Sequence, residues 1–598
     1  MKSRFIFVLV ASVLVLGILV GCGAKPTTPD APNQAVDPDI PTDPNPSPNE
    51  GENPPSLPND TPADPVFYGV TLEHDSAIGT VNGLKERYEA GETVTFTVES
   101  SNYMVDTITC NGAPITEQDG TYSFAIGSDV TISITYQLKP TTVNVTNDSA
   151  KGTVLGLKNE YAVGDRVTFT VSPNAGWAVY SVSVNGEELT LPYSYLVTDA
   201  SPRDISLAVT YEEDTLEARR NKVVAYAKHL TGDYYHYEGG VPVAEADINN
   251  STHNHKALSE DFIYRGVPYN EGLTSLAAYR TLPSEFVDGV YHITPTLFVQ
   301  RWYWLFGLSC ADIPLWSWRA VSGDVTFAAA QQMTPAHGCI QVGEYQWTIK
   351  NGTLVDTFAD IENNGSAVMD AAYAQLQPGD ACTRIQGGKS VGHAILITAV
   401  DHANQKVTYC DTNGSARSAD EVVNDMELYR FGEFDKTVDY TWLRKQGYLP
   451  VTCAALREES ETLETFQVAD SAEEPSLQNL ASGTLTANQP ISHVVITITD
   501  GKGNLVKEYI RYWSGKTFQM SDFRTTRLLT GWDFASSNTM PQYQLYAKEN
   551  TITAVDLGLQ KGDYHCAVTA YNGGSSFDTA GNVRSQVYVV RDFDFTVE

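Results

Sequence analysis

The spacing of apolar residues along this chain changes several times, and each change marks a boundary. From Val94 to Val98 the order is Val-Thr-Phe-Thr-Val, the alternation of a half-buried strand. The same five residues return from Val167 to Val171, and Gly79-Thr80-Val81, Gly83-Leu84-Lys85, Tyr88 and Gly91 return as Gly152-Thr153-Val154, Gly156-Leu157-Lys158, Tyr161 and Gly164, all at a spacing of 73. Asn111-Gly112 and Asn185-Gly186 are hairpin turns that need positive φ. The pattern predicts two small β domains of one design, over 66–139 and 140–213. From Leu216 to Leu230 the period becomes helical, with Val223, Val224, Ala227 and Leu230 on one stripe. Helical and strand patterns then mix through 214–455, the composition of an α+β domain. Residues 456–474 are acidic and read as a linker. Over 475–598 strands return: Val494 to Thr499 and Leu505 to Ile510 flank the turn Asp500-Gly501-Lys502-Gly503-Asn504, which predicts a C-terminal β-sandwich.

The first 65 residues follow none of these periods. Lys2 and Arg4 precede an apolar run from Phe5 to Val20, about the length of a signal h-region and short for a membrane span. It ends Leu19-Val20-Gly21-Cys22 and resembles a bacterial lipobox, which implies that 1–22 is a signal, that Cys22 is lipidated and that the chain is held to a membrane by this anchor. Residues 23–65 hold 13 of the 29 prolines. Such a stretch builds no core and reads as a tether, disordered and partly extended, able to reach roughly 100 Å at about 3.1 Å per residue.

Charge narrows the partners. The 598 residues carry 73 acids against 39 bases, a formal charge of −34. A surface of that sign repels duplex nucleic acid and anionic lipid, so no nucleic acid is expected. Eight cysteines are sparse for this length and do not make a disulfide scaffold. Without Cys22 seven remain, an odd count that leaves room for one working thiol.

Cys310, in Gly-Leu-Ser-Cys-Ala-Asp-Ile, opens an apolar segment with helical character, and Pro314 is tolerated in a first turn. A thiol at a helix N-terminus meets a dipole that favours the thiolate. His393, in Val-Gly-His-Ala-Ile-Leu-Ile, enters an apolar strand. In the next strand Val407, Tyr409 and Asp411 share a face and Cys410 points away. A hairpin would set Asp411 beside His393 to fix the imidazole, with Asn413 the other candidate for that task. Nucleophile, base and orienting group are what a thiol hydrolase needs. His337-Gly338-Cys339 is a rival thiol–histidine pair without a following helix. Trp302, Trp304, Trp316 and Trp318 crowd the region as core or as the floor of a groove. The cysteines and histidines lack regular zinc-ligand spacing, so neither metal nor other cofactor is expected.

The repeats resemble the divergent internalin-type B repeats of bacterial surface proteins, which implies a spacer or adhesive stalk. The region 214–455 resembles the papain-like cell-wall hydrolases of the NlpC and CHAP type. Four pieces carry this: Gly266-Val267-Pro268-Tyr269, the helix-opening cysteine, Leu376-Gln377-Pro378-Gly379-Asp380 before the Gly-His strand, and an acid-x-Asn after it. The resemblance implies a cysteine-bearing helix packed on an antiparallel sheet. It gives Cys310 the nucleophile role, His393 the base, Asp411 or Asn413 the orienting role, and sets Tyr269 near the thiol. Ser309 stands where those families usually have Asp or Gln, and the 83 residues from Cys310 to His393 imply insertions.

The expectation is therefore a multidomain envelope lipoprotein: all-β repeats, a papain-like α+β domain and an immunoglobulin-like sandwich. It cleaves peptide or amide bonds, with peptidoglycan peptides or another surface polymer as partner. The alternatives are a transglutaminase-like acyl transferase and a non-catalytic adhesin.

Overall fold

The computed structural model describes residues 64–238, 259–269, 275–280, 284–293, 307–387, 392–414, 416–458, 463–472, 474–525, 545–546, 551–578 and 581–598. Cys22, the signal, Trp302 and Trp304 lie outside the described residues. The protein is mostly β, with several separate sheets and few helices. It divides into two compact units, one ending at Lys139 and one beginning at Pro140.

In the first unit Phe67–Glu73 runs parallel to Val130–Leu138, and Tyr103–Cys110 pairs antiparallel with the latter across a bulge near Val105. Thr80–Asn82, Thr93–Glu99 and Thr121–Ala125 make the facing sheet. The second unit opens on the same topology. Thr142–Thr146 runs parallel to Asp204–Glu213, and Trp177–Val184 pairs antiparallel with it across a bulge near Val179. Tyr88, Val94, Phe96 and Ile132 fill one core, and Tyr161, Val167, Phe169 and Ile205 fill the other. Two of the recurring glycines, Gly79 and Gly152, have a steric cause. A Cβ on Gly79 would lie 2.6 Å from the Tyr136 hydroxyl, and one on Gly152 would lie 2.5 Å from the Tyr211 hydroxyl.

Helix α1 (Leu216–Gly232) starts where the Thr215 hydroxyl accepts the Ala218 N–H. Its stripe of Val223, Ala227 and Leu230 is buried; Val224 is half-buried. Two six-stranded sheets follow. The first runs Ser284–Val287, Val290–Ile293, Tyr234–Tyr237, Phe262–Arg265, Met426–Arg430, Arg417–Val423. The second runs Cys339–Gln341, Leu449–Cys453, Ala381–Ile385, Gly392–Asp401, Lys406–Cys410, Lys436–Asp439, every neighbouring pair antiparallel. Among the described residues the remaining α-helices are α2 (Leu276–Tyr279), α3 (Asp312–Arg319), α4 (Thr357–Tyr373) and α5 (Tyr440–Lys445). Every residue of α3 is buried, its polar ones included: Asp312 accepts the Ser309 N–H and the Arg319 Nε–H donates to the Val325 carbonyl. The helix packs on α1 and on the Gly392–Asp401 strand. Trp316 and Trp318 are core: the Trp318 indole donates to the Gly379 carbonyl at 2.8 Å, and Trp316 lies against Gly573.

Two expectations meet a different structure in the last segment. The acidic stretch is not a free linker. Phe466 and Val468 are buried, Val468–Asp470 pairs with Thr484–Asp500, and Asp470 makes a 2.6 Å ion pair with the fully buried Arg591. An acid there is the partner that a buried guanidinium requires. In place of two facing sheets, the described residues form a main antiparallel sheet of Val468–Asp470, Thr484–Asp500, Gly562–Asn572 and Val587–Val597, with Leu505–Gln519 also paired to Thr484–Asp500, and two short two-stranded sheets, Arg524–Thr525 with Leu545–Tyr546 and Ser576–Phe577 with Val583–Arg584. Met520 and Phe523, from the 3-10 helix Met520–Phe523, and Ile552 and Leu557, from the segment that precedes Gly562–Asn572, pack in the core of the main sheet. These supply the apolar cover that a second sheet would otherwise give.

Candidate functional site

Cys310 sits in the turn that feeds α3. Ala311 is the helix cap and contributes no side-chain bond; instead the Asp312 carboxylate in the first turn accepts the Ser309 N–H at 2.6 Å. Ser309 thus anchors the turn through its backbone. On the lead-in side, Leu308 bridges to Tyr269, and its N–H donates to the Pro268 carbonyl at 3.0 Å. Gly266 lets that segment approach the end of α1: its φ is +82°, and a Cβ would meet the Thr231 carbonyl oxygen at 2.9 Å. Tyr269 is half-buried and pairs two positions before the thiol.

The hairpin of Gly392–Asp401 with Lys406–Cys410 brings the other two residues together. His393 Nε2 and Asp411 Oδ2 are 2.7 Å apart in a buried setting. The Cys310 thiol lies 4.0 Å from the Gly392 carbonyl oxygen, at the edge of contact for a sulfur donor. Burial opposes charge on the His393 ring. The neighbouring Cys310 sulfur and the bond to Asp411 outweigh it, so the imidazole pKa rises from 6.5 to about 9. Asp411 is pulled the other way: burial works against its charge, but His393, the Glu433 N–H and Asn413 hold its pKa below the ordinary value. Both shifts favour the charged imidazole between the sulfur and the carboxylate.

The sequence left Asp411 and Asn413 as rivals. The structure puts the carboxylate on the imidazole, whereas Asn413 Nδ2 stands behind it, 3.5 Å from Asp411 Oδ2. Four residues around the site went unnoticed in the sequence. The Glu433 N–H donates to Asp411 Oδ1 at 2.7 Å, and a Cβ on Gly432 would fall 2.0 Å from the Asp411 carbonyl oxygen, so only glycine lets that loop close on the acid. Tyr448 lies with its ring centre 6.4 Å from the His393 ring, and the Arg384 guanidinium sits 5.1 Å above it. Arg384 is the register partner of His393. Periodicity could have marked Arg384, opposite the histidine in the preceding strand; nothing local marked Gly432 or Glu433.

The other described cysteines do not share this setting. Cys339 is fully buried opposite Cys453, and burial pushes its pKa far up. Burial raises Cys382 well above normal and takes Cys410 and Cys566 to about 12. None of the seven is in a disulfide. The rival pair therefore has an inert thiol, and its histidine, His337, has the Thr326 hydroxyl 3.4 Å from Nδ1.

The raised imidazole pKa has a checkable sign. A histidine whose folded pKa exceeds its unfolded value stabilises the fold fully below about 6.5 and loses that contribution as pH rises through about 9. Asp411→Asn and Cys310→Ala each remove one cause of the rise, so each should move the His393 titration midpoint downward. NMR of the imidazole ring protons measures this; a midpoint unmoved in both variants would show that neither group acts on the ring.

No protein-family model matches the chain, and no curated protein matches it. Among solved structures it is similar to that of a protein called Ly7917, with 12% identity over 48% of this chain and 89% of that one, at a TM-score of 0.13.

Proposed function

We propose that this protein is a thiol hydrolase of the bacterial envelope, cleaving peptide or amide bonds. The observation that carries the reading is the 2.7 Å contact of His393 with Asp411, on a ring whose pKa the Cys310 sulfur raises. In the reaction the Cys310 sulfur attacks the carbonyl carbon, and His393 gives its proton to the leaving nitrogen as the C–N bond breaks. A thioester remains on Cys310. Water then adds to the thioester carbonyl, His393 takes the water's proton, and the C–S bond breaks to release the acid and restore the pair. The positive end of α3 favours an oxyanion formed beside it. Asp411 keeps the ring oriented with Nε2 occupied, leaving Nδ1 for the thiol.

The papain-like character of 214–455 and the choice of wall stem peptides as substrate rest on the motifs shared with NlpC and CHAP hydrolases. The two repeats serve as a spacer, and Cys22 carries the lipid that holds the chain to the membrane. The activity test is incubation of the protein with purified wall stem peptides, read as newly released amines. Absence of release from every stem peptide would defeat the substrate assignment. For the anchor, Cys22→Ala should move the protein from the detergent phase to the medium; unchanged partitioning would defeat it.

A further inference from the structure

We propose that His236, Glu238 and His292 form a binding site for one divalent transition-metal ion of the zinc class, separate from the Cys310 site. The strands Tyr234–Tyr237 and Val290–Ile293 run parallel with His236 directly opposite His292. Alternation puts Tyr235 and Tyr237 into the core and His236 on the other face of the sheet. Glu238 follows at the strand end. The ligand atoms of the three residues all lie within 4.8 Å of one another, and His292 Nδ1 is 3.4 Å from Glu238 Oε1. A tetrahedral ion with bonds near 2.0–2.1 Å holds its ligand atoms roughly 3.4 Å apart, so small side-chain rotations close the set.

The second observation is the state of His236. Its Nε2 faces the Glu260 carbonyl oxygen at 2.9 Å. A carbonyl only accepts, so Nε2 carries the proton and Nδ1 presents a lone pair. That Nδ1 is buried and has no hydrogen-bond partner among the described residues. A ring whose far nitrogen is tied to a backbone carbonyl, with its near nitrogen bare beside a second imidazole and a carboxylate, is a pre-oriented metal ligand. Two imidazoles and one carboxylate suit zinc-class ions; magnesium and calcium prefer all-oxygen sites. The His292 and Glu238 side chains are 31% and 49% exposed, which leaves a coordination position open to water. Bound there, the ion would clip together two strands that are far apart in the sequence.

The test uses the untagged full-length protein stripped with EDTA, titrated with Co²⁺ alone and with Zn²⁺ alone. One equivalent should bind tightly, and the Co²⁺ form should show the visible absorption of a nitrogen–oxygen site without a thiolate-to-metal band. His236→Ala and His292→Ala should each weaken binding at least 100-fold and Glu238→Gln at least tenfold. Cys310→Ala should bind as the parent does. Should His236→Ala fail to fold by circular dichroism, His292→Ala, at a partly exposed position, decides. The proposal is overturned if no stoichiometric binding occurs, if binding survives the His292 replacement, or if it carries a thiolate band and disappears in Cys310→Ala.

Discussion

Alanine at Cys310 or at His393 is expected to abolish hydrolysis, each with a loss on the order of 10⁵–10⁶-fold in kcat, and the double variant should be no worse than either single one. The thiol without the imidazole loses its proton acceptor and the donor for the leaving nitrogen. The imidazole without the thiol has nothing to attack with. The same interdependence is visible in the ring itself, since the sulfur is a leading cause of its raised pKa. Asp411→Asn should cost less, about 10³–10⁴-fold, because it leaves the geometry but can no longer stabilise the imidazolium. Asn413→Ala should cost less again, because Asn413 touches the acid rather than the base. Ser309, Cys339 and Cys382 should be dispensable for chemistry: Ser309 acts through its N–H, and the two thiols are buried and protonated. Iodoacetamide should label Cys310 ahead of the other described cysteines in the native protein, and slow or random labelling would count against an activated thiol. Stem-peptide cleavage that survives Cys310→Ala would end the hydrolase reading. An intact site in a wild-type protein that cleaves nothing would leave the adhesin alternative.

What could be read from the sequence was whatever a local period or a short return of the chain encodes. The repeats show themselves by a fixed spacing; of their shared glycines, Gly79 and Gly152 are sites where a tyrosine lies on the backbone, and Gly83, Gly91, Gly156 and Gly164 have positive φ. The step from His393 to Asp411 is a single hairpin, so alternation alone could set the acid on the imidazole face. The choice between Asp411 and Asn413 could not be made that way, because residues two apart share one alternation; the 2.7 Å contact of His393 with Asp411 decides it, and the Glu433 N–H that holds the acid arrives from a later loop. Three-dimensional pairing likewise hid the fate of the acidic stretch: Asp470 finds Arg591 near the far end of the chain. The metal-ligand trio was invisible for the same reason. Regular ligand spacing belongs to sites built on one turn or one helix. Here a parallel pairing of distant strands supplies the juxtaposition.

Asp380→Ala is expected to destabilise the second unit by about 3 kcal/mol, the lower end for removing one partner of a buried ion pair, since Arg457 keeps some solvent. Asp380 is fully buried. Its Oδ1 meets Arg220 of α1 at 3.1 Å, its Oδ2 meets Arg457 at 2.7 Å, and the Gln377 N–H donates to Oδ2 at 2.8 Å. The same turn accepts the Trp318 indole of α3 through Gly379, and it exchanges backbone bonds with Ile397 of the histidine strand. Removing the carboxylate strands two guanidinium groups in a site with little water. Asp380→Asn keeps the shape and one acceptor, so it should cost less, and the order wild type, Asn, Ala is the signature of a charge hub rather than of simple packing. Thermal or urea unfolding followed by tryptophan fluorescence measures the order. A loss of less than about 1 kcal/mol in Asp380→Ala would show that Arg220 and Arg457 are solvated without it. Because this turn ties the cysteine helix to the histidine strand, the variant should also lose hydrolysis at temperatures where it remains folded, through a misplaced Cys310 rather than a missing one. Iodoacetamide labelling separates the two: the thiol should remain accessible while its reaction slows toward that of His393→Ala.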